Sequence, residues 1–107
     1  MKALSIKSEY VKQILRGEKT IELRSWRTKH RGDLLICATM PDGMARCIVE
    51  LVDVRPFVRA DAAAACSSYR PGLWAWVLRN VRPVESFHVR GNLRTFNVRV
   101  PADKLQA

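Results

Sequence analysis

Gly17-Glu18-Lys19-Thr20-Ile21-Glu22-Leu23-Arg24 is the stretch where a helix has to stop and a strand has to begin. Upstream, Ser8 can cap a helix whose first turn carries Glu9 and whose apolar stripe is Val11, Ile14 and Leu15; Gly17 after Arg16 supplies the stop. The spacing predicts a short helix over 8–17. Downstream, residues 20–24 alternate polar and apolar with period two, the signature of a half-buried strand. That alternation turns Ile21 and Leu23 toward a core and leaves Thr20, Glu22 and Arg24 on a chemically loaded outer face.

Working outward, residues 2–6 read as a first strand. Lys29-His30-Arg31-Gly32-Asp33 is a polar turn, residues 34–39 form a short buried strand, and Pro41-Asp42-Gly43 is a strong turn signal that makes the next strand, 45–54, the second arm of a hairpin. That arm runs into Arg55-Pro56, after which Asp61 can cap a brief Ala-rich helix through Cys66. Residues 67–72 are a loop. The last third holds three apolar-alternating segments, 73–78, 83–89 and 95–100, the last closed by Pro101. In 107 residues, 48 % of them hydrophobic, such a set makes one domain with one core, spanning 1–107. Five or six strands with two short helices predict an α+β fold: a compact, partly closed β-barrel with helices plugging its ends.

Nineteen Lys and Arg against ten Asp and Glu give a net charge of +9. Residues 1–36 carry +5, residues 37–53 carry −2 and residues 54–107 carry +6, so the excess lies at the two ends of the chain. Thirteen of the nineteen cations are Arg, whose guanidinium fork grips phosphate bidentately, and a polyanion is the partner this composition favours. A basic surface that serves only solubility is the competing reading. The longest nearly unbroken apolar run, 34–40, is far shorter than the ~20 residues of a membrane span, and the N-terminal residues lack the apolar core of a signal peptide. The expectation is a protein of the cytoplasm without a membrane partner. Cys37, Cys47 and Cys66 are odd in number and lack paired zinc-ligand spacing; they read as buried small hydrophobes, with no metal and no cofactor expected.

Candidate site residues cluster near the opening motif. Lys19, on a flexible stem at a helix-to-strand junction, can clamp phosphate or, if desolvated, act as a base. Glu22, three residues on, would hold it protonated and make a charge clamp of the pair; alternatively Glu22 pairs with Arg24, about 6.6 Å along the same strand face. Arg24, Trp26, Arg27, Lys29, His30 and Arg31 put four cations, a histidine and an indole into eight residues with no carboxylate, a phosphate-and-base patch. Its competitor is a solvated turn with Trp26 folded back onto the barrel. Trp74 and Trp76 share parity and form a core wall or a cleft wall. Arg79, Arg82, Arg90, Arg94 and Arg99 are a second basic group, opposed within 79–99 by Glu85 alone.

The run Leu4-Ser5-Ile6-Lys7, Tyr10, Ile14-Leu15 and the complete spacing G-x-K-x-x-E-x-R from Gly17 to Arg24 resembles the signature of the ASCH domains, a branch of the PUA-like barrel superfamily. Trp74-Ala75-Trp76-Val77-Leu78, Val81-Arg82-Pro83-Val84 and Phe96-Asn97-Val98 resemble the second half of small stand-alone bacterial ASCH proteins. The resemblance implies a barrel of about six strands with a cleft beside the motif strand and an association with RNA or its nucleosides. It brings Lys7 and Tyr10 into the expected binding set of Lys7, Tyr10, Lys19, Glu22, Arg24, Trp26, Arg27, Lys29 and Arg31, with Lys19 and Glu22 as the candidate catalytic pair. Some ASCH proteins are amidohydrolases on 4-acetylcytidine, using a Lys, a Thr three positions later and a distant acid; others are linked to ribonuclease activity, and others act as binding domains. Here Lys19 matches the Lys, but Glu22 stands at the Thr position, and 60–72 offers only Asp61 as the acid. The reading is therefore an RNA- or nucleotide-binding domain with DNA as a lesser candidate, and an enzyme on modified nucleosides or RNA, or a small protein-binding adaptor, as the alternatives.

Overall fold

The computed structural model describes residues 1–105. Its elements run β1 (Lys2–Ile6), α1 (Ser8–Leu15), β2 (Ile21–Arg24), β3 (Gly32–Ala38), β4 (Met44–Pro56), a 3-10 turn (Arg59–Asp61), α2 (Ala62–Ala65), β5 (Trp74–His88), β6 (Phe96–Asn97) and a second 3-10 turn (Ala102–Lys104). All six strands join one mixed sheet in the order β2-β5-β4-β3-β1-β6. Among the described residues only the β1–β3 pair is parallel. Three strands separate β1 from β2 in that order, yet Arg24 of β2 donates from Nη2 to the Ser5 carbonyl of β1 at 2.7 Å. The sheet is therefore curled into a barrel whose open seam is bridged by a side chain, as the sequence predicts for an α+β chain with two short helices.

Two apolar layers cover the curled sheet. Inside, Leu4 and Ile6 meet Leu34 and Ile36, Val49 and Leu51, and the fully buried Trp76, with Val11 and Ile14 of α1 closing one end. Each such side chain contributes roughly 1.5–3 kcal/mol of burial. Outside, one cluster gathers Leu35, Ile48 and Phe96, and another gathers Ile21, Phe57, Ala65 and Ala75. As expected, Ile21 and Leu23 of β2 face a core, packing with Phe57, Ala65 and Ala75, and Glu22 and Arg24 lie on the opposite face. What differs is that this polar face is not an outer one: it turns toward the barrel interior. Alternation along the strand holds, but the strand is not half-buried, because both of its faces are covered.

Several boundaries also differ from expectation. The capping position of α1 is Lys7, Ser8 being the first helical residue and making no side-chain cap, and the helix ends at Leu15. Residues 73–78 and 83–89 belong to one 15-residue strand, β5, bent at Asn80, which takes the left-handed φ of 55° that Asn tolerates. Pro83 fits because the register with β4 shifts there, between Ala45 and Cys47. The final strand is only Phe96–Asn97, prolonged by the Val98 N–H donating to the Met1 carbonyl at 2.9 Å. Asp61 does not cap α2; its carboxylate accepts from the Arg55 guanidinium and from the Val58 N–H. Cys37 and Cys47 are buried as expected, whereas Cys66, in a left-handed conformation after α2, is half-buried. No described helix is long and apolar enough to cross a membrane.

Candidate functional site

The end of α1 sets the site. Gly17, with φ of 79°, lets the chain reverse so that the Glu18 N–H reaches the Gln13 carbonyl at 3.0 Å and the Gly17 N–H reaches that of Ile14 at 3.0 Å. These two bonds are the Schellman stop, and they satisfy carbonyls the helix would otherwise leave open. The Lys19 N–H adds a third, also to Gln13, at 3.2 Å. Thr20 is then held on both sides, its N–H donating to Ala64 of α2 and its carbonyl accepting from Leu78 of β5, each at 2.9 Å. With its backbone fixed this way, the Lys19 side chain turns inward and is only 3 % exposed.

There Lys19 Nζ donates to the Ala65 carbonyl at 2.8 Å, stands 3.4 Å from Glu22 Oε1 and lies 5.2 Å from the centre of the Tyr10 ring. Glu22, 5 % exposed, sits opposite Trp76 in the β2–β5 register. Its other oxygen, Oε2, accepts from Arg24 Nε at 3.1 Å and Nη2 at 2.9 Å. Both sequence readings of Glu22 hold at once: one carboxylate oxygen faces Lys19 and the other Arg24. The result is a chain, Lys19–Glu22–Arg24, of formal charge +1, buried at Lys19 and Glu22 and part-exposed at Arg24, tied to two backbone carbonyls. Each cation is positioned by the carboxylate between them, and a buried charge of this kind is tolerable only because it is paired and hydrogen-bonded.

This chain lines a cleft of about 410 Å³, a volume within the range of small-molecule sites. Lys7 and Tyr10 line it on the side of α1, and Trp26 and Thr39 line it from the loops that follow β2 and β3. Arg70 enters from the loop after α2. Four cations, Lys7, Lys19, Arg24 and Arg70, thus face a single carboxylate. The electrostatics suit an anionic ligand, and the aromatic surfaces of Tyr10 and Trp26 suit one with a flat apolar part.

Of the nine residues expected to bind, Lys7, Tyr10, Lys19, Glu22, Arg24 and Trp26 come together here. Arg27, Lys29 and Arg31 do not; with Thr28 and Val54 they surround a separate cavity of about 450 Å³. Arg27 stacks on Trp74 at 5.0 Å, and Arg31 donates to the carbonyls of Thr28 and His30. Trp26 is half folded back, its ring meeting the edge of Trp76 at 4.9 Å and the Arg94 guanidinium at 4.9 Å. Trp76 is core, and its indole N–H donates to the Trp26 carbonyl at 3.2 Å. The second basic group divides: Arg94 joins Trp26, while Arg79 and Arg82 pair with Glu50 and Asp33. Arg82 holds the Asp33 carboxyl below its ordinary value by direct hydrogen bonding.

Asp61, the sole acid of 60–72, is absent from the cleft wall and engaged by Arg55. Local sequence pattern does not place Thr39, Arg70 or the Ala65 carbonyl at the site, because Thr39 and Arg70 arrive from loops and Ala65 from the end of α2, each distant in the chain from the motif. Among the described residues no three His, Cys, Asp or Glu side chains come together as metal ligands.

Comparison with known proteins agrees with this architecture. The family model described as the ASCH domain matches residues 4–88. A crystal structure of ASCH from Zymomonas mobilis is similar at TM-score 0.78 with 17 % identity, over 92 % of this chain and 87 % of that one. A tyrosine-to-phenylalanine variant of the Zymomonas protein superposes at TM-score 0.70 with 19 % identity, over 82 % of this chain and 75 % of that one. A serine-to-alanine variant gives TM-score 0.70 and 16 % identity, over 92 % and 87 %. No curated protein matches the sequence. The match of the domain model over most of the length, on a PUA-like barrel, shows that this chain belongs to the ASCH domain family.

Proposed function

We propose that residues 1–107 act as one ASCH domain that binds RNA, or a nucleotide drawn from it, in the cleft beside the G-x-K-x-x-E-x-R motif. The observation that carries the reading is the Lys19–Glu22–Arg24 chain, which fixes two cations in a cleft where four cations face one carboxylate. Phosphate is captured electrostatically by Lys7 and Arg70, and the base lies against Tyr10 and Trp26. Arg27, Lys29 and Arg31, in their own cavity, extend the positive surface for a longer strand. An RNA partner implies a cytoplasmic setting, with duplex DNA as the weaker ligand.

The arrangement of Lys19 also weighs between binding and catalysis. Both of its partners, a carbonyl and a carboxylate, accept from an ammonium and hold it in place. A clamp uses that state directly, whereas a general base needs the neutral amine. Hydrolysis of a modified nucleoside or of RNA is the second reading, favoured by the same buried Lys19–Glu22 contact at the cleft floor. Docking of a protein partner is the third.

Fluorescence anisotropy of a labelled single-stranded RNA and of a matching duplex DNA, at two salt concentrations, tests this. Expected is preferential RNA binding that weakens with salt at a log–log slope of about −0.7 per phosphate contacted. Lys7→Ala, Arg70→Ala and Lys19→Ala should each weaken it, with no turnover of the RNA by the wild type. A salt-independent affinity, or none for either polymer, would overturn the proposal; loss of turnover in Lys19→Ala would favour the enzyme.

A further inference from the structure

The cleft does not end at its polar floor. Ser5 and Thr39, which line it, also line a second groove of about 350 Å³ on the other side of them. This neighbour differs in character. Ala38, Met40, Val89 and Leu93 make it apolar, and two of these are unusually open: Met40 is 80 % exposed and Leu93 is 94 % exposed. Because Met40 and Leu93 line one groove with Ala38 and Val89, they form a joined apolar surface of the kind that marks a ligand groove, unlike a solitary exposed side chain. Its charge setting is equally one-sided, since residues 86–102 contain no acid and Arg90 and Arg94 flank the lining residues Gly91 to Leu93.

Two contacts join the compartments. A Cβ added at Gly91 would come within 2.8 Å of Ser5 Oγ, so the backbone there lies directly against the saddle between them. Three residues on, Arg94 reaches back to stack on Trp26, a wall of the first compartment. Beneath the saddle, Arg24 holds the Ser5 carbonyl. Ser5 and Thr39 hydroxyls, with Arg24 and Arg94 on either side, are the donors a phosphodiester calls for.

Building on the nucleotide reading of the cleft, we infer that the second groove receives the next base of the same strand, so that the preferred ligand is a dinucleotide step of single-stranded RNA. One nucleotide occupies the charged cleft, the linking phosphate crosses at Ser5 and Thr39, and the following base lies on Met40 and Leu93. A lone nucleoside would leave this groove unused.

Calorimetric titration of the full chain with each ribonucleoside 5′-monophosphate and with the 5′-phosphorylated homodinucleotides pApA, pCpC, pGpG and pUpU tests the inference, alongside Leu93→Asp and Gly91→Ala; the shared 5′-phosphate occupies the Lys7 and Arg70 side of the cleft in both ligands. Leu93 is too exposed for its replacement to disturb folding. At least one dinucleotide should bind about tenfold more tightly than its mononucleotide, a gain that removing about 55 Å² of apolar surface from water would supply. Leu93→Asp, which substitutes a like charge for the platform, should abolish that gain and leave the mononucleotide affinity unchanged; Gly91→Ala, which crowds Ser5 at the saddle, should abolish the gain as well. Equal affinities for mono- and dinucleotide, or a gain that survives Leu93→Asp, would overturn the inference while the cleft reading stands. Binding of neither would remove both.

Discussion

Lys19 Nζ lies 3.4 Å from Glu22 Oε1 with the two side chains 3 % and 7 % exposed, so the contact is sheltered from the solvent screening that makes most surface ion pairs negligible. Removing either partner therefore strands the other. Lys19→Met should destabilise the fold by about 1–3 kcal/mol, since the Ala65 carbonyl and a carboxylate oxygen each lose a donor. Because the two residues share one network, Lys19→Met combined with Glu22→Gln should cost less than the sum of the singles, by about 0.5–3 kcal/mol. Urea unfolding of the four proteins measures this; strict additivity would show that the contact carries no coupling.

Arg24 contributes through shape as well as charge. One guanidinium serves Glu22 Oε2 through two nitrogens and the Ser5 carbonyl across the seam. A lysine ammonium keeps the charge but lacks the planar fork. Arg24→Lys should lower stability by about 1 kcal/mol and weaken RNA binding even where salt conditions match, as followed by thermal unfolding and anisotropy. Wild-type behaviour in both would mean the fork is dispensable.

Asp61 should govern part of the acid sensitivity. Hydrogen bonding from Arg55, aided by the Val58 N–H and opposed by desolvation, holds its carboxyl below the ordinary value of 3.8. A carboxyl with a lower value in the folded than in the unfolded state supplies stability that is fully present above the unfolded value and lost as pH falls through the folded one. Asp61→Asn should thus cost about 1–2 kcal/mol near neutrality and progressively less below about pH 4. Denaturant midpoints across pH 2–7 check it; a difference constant with pH would assign the stability to something other than ionisation.

The three thiols should separate by access. Burial pushes Cys37 and Cys47 up to about 12, leaving essentially no thiolate at pH 8. Cys66 is half-buried, its Sγ within 3.5 Å of the Glu18 carbonyl. Titration of the native protein with a chromogenic disulfide at pH 8 should count one thiol, and three after denaturation. Rapid native reaction of three would indicate that the β3–β4 region opens readily.

How far the sequence foretold this molecule depended on distance along the chain. The Gly17 stop, the α1 stripe and the Pro41-Asp42-Gly43 turn are local events, each decided by φ freedom or by periodicity within a few residues. The motif itself located Lys19, Glu22 and Arg24 in the cleft wall, and the family resemblance with the adjoining basic patch added Lys7, Tyr10 and Trp26. What local pattern lacks is a reference for which side is inside. Ile21 and Leu23 alternate properly with Glu22 and Arg24, but a sheet covered on both faces has two apolar layers, and only long-range packing under Phe57 and Ala65 selects between them. Similarly, Asn80 and Pro83 look like breaks within 73–89 until the bulged register with β4 absorbs them. Arg70 and Thr39 carried no local sign of the site, because their placement depends on where the barrel closes.

The Gln13 carbonyl, which receives both the Glu18 and Lys19 N–H groups, makes chain length a functional variable. Three residues connect Leu15 to Lys19, and from Ile21 onward each side chain of β2 is assigned to a face by odd or even count. A one-residue insertion after Glu18 would turn β2 over, driving a carboxylate and a guanidinium beneath Phe57 and setting Ile21 and Leu23 in the cleft. A two-residue insertion would keep every face and merely slide the strand, so circular dichroism should find the shorter insertion the more damaging. Counting, as much as chemistry, is written into this motif.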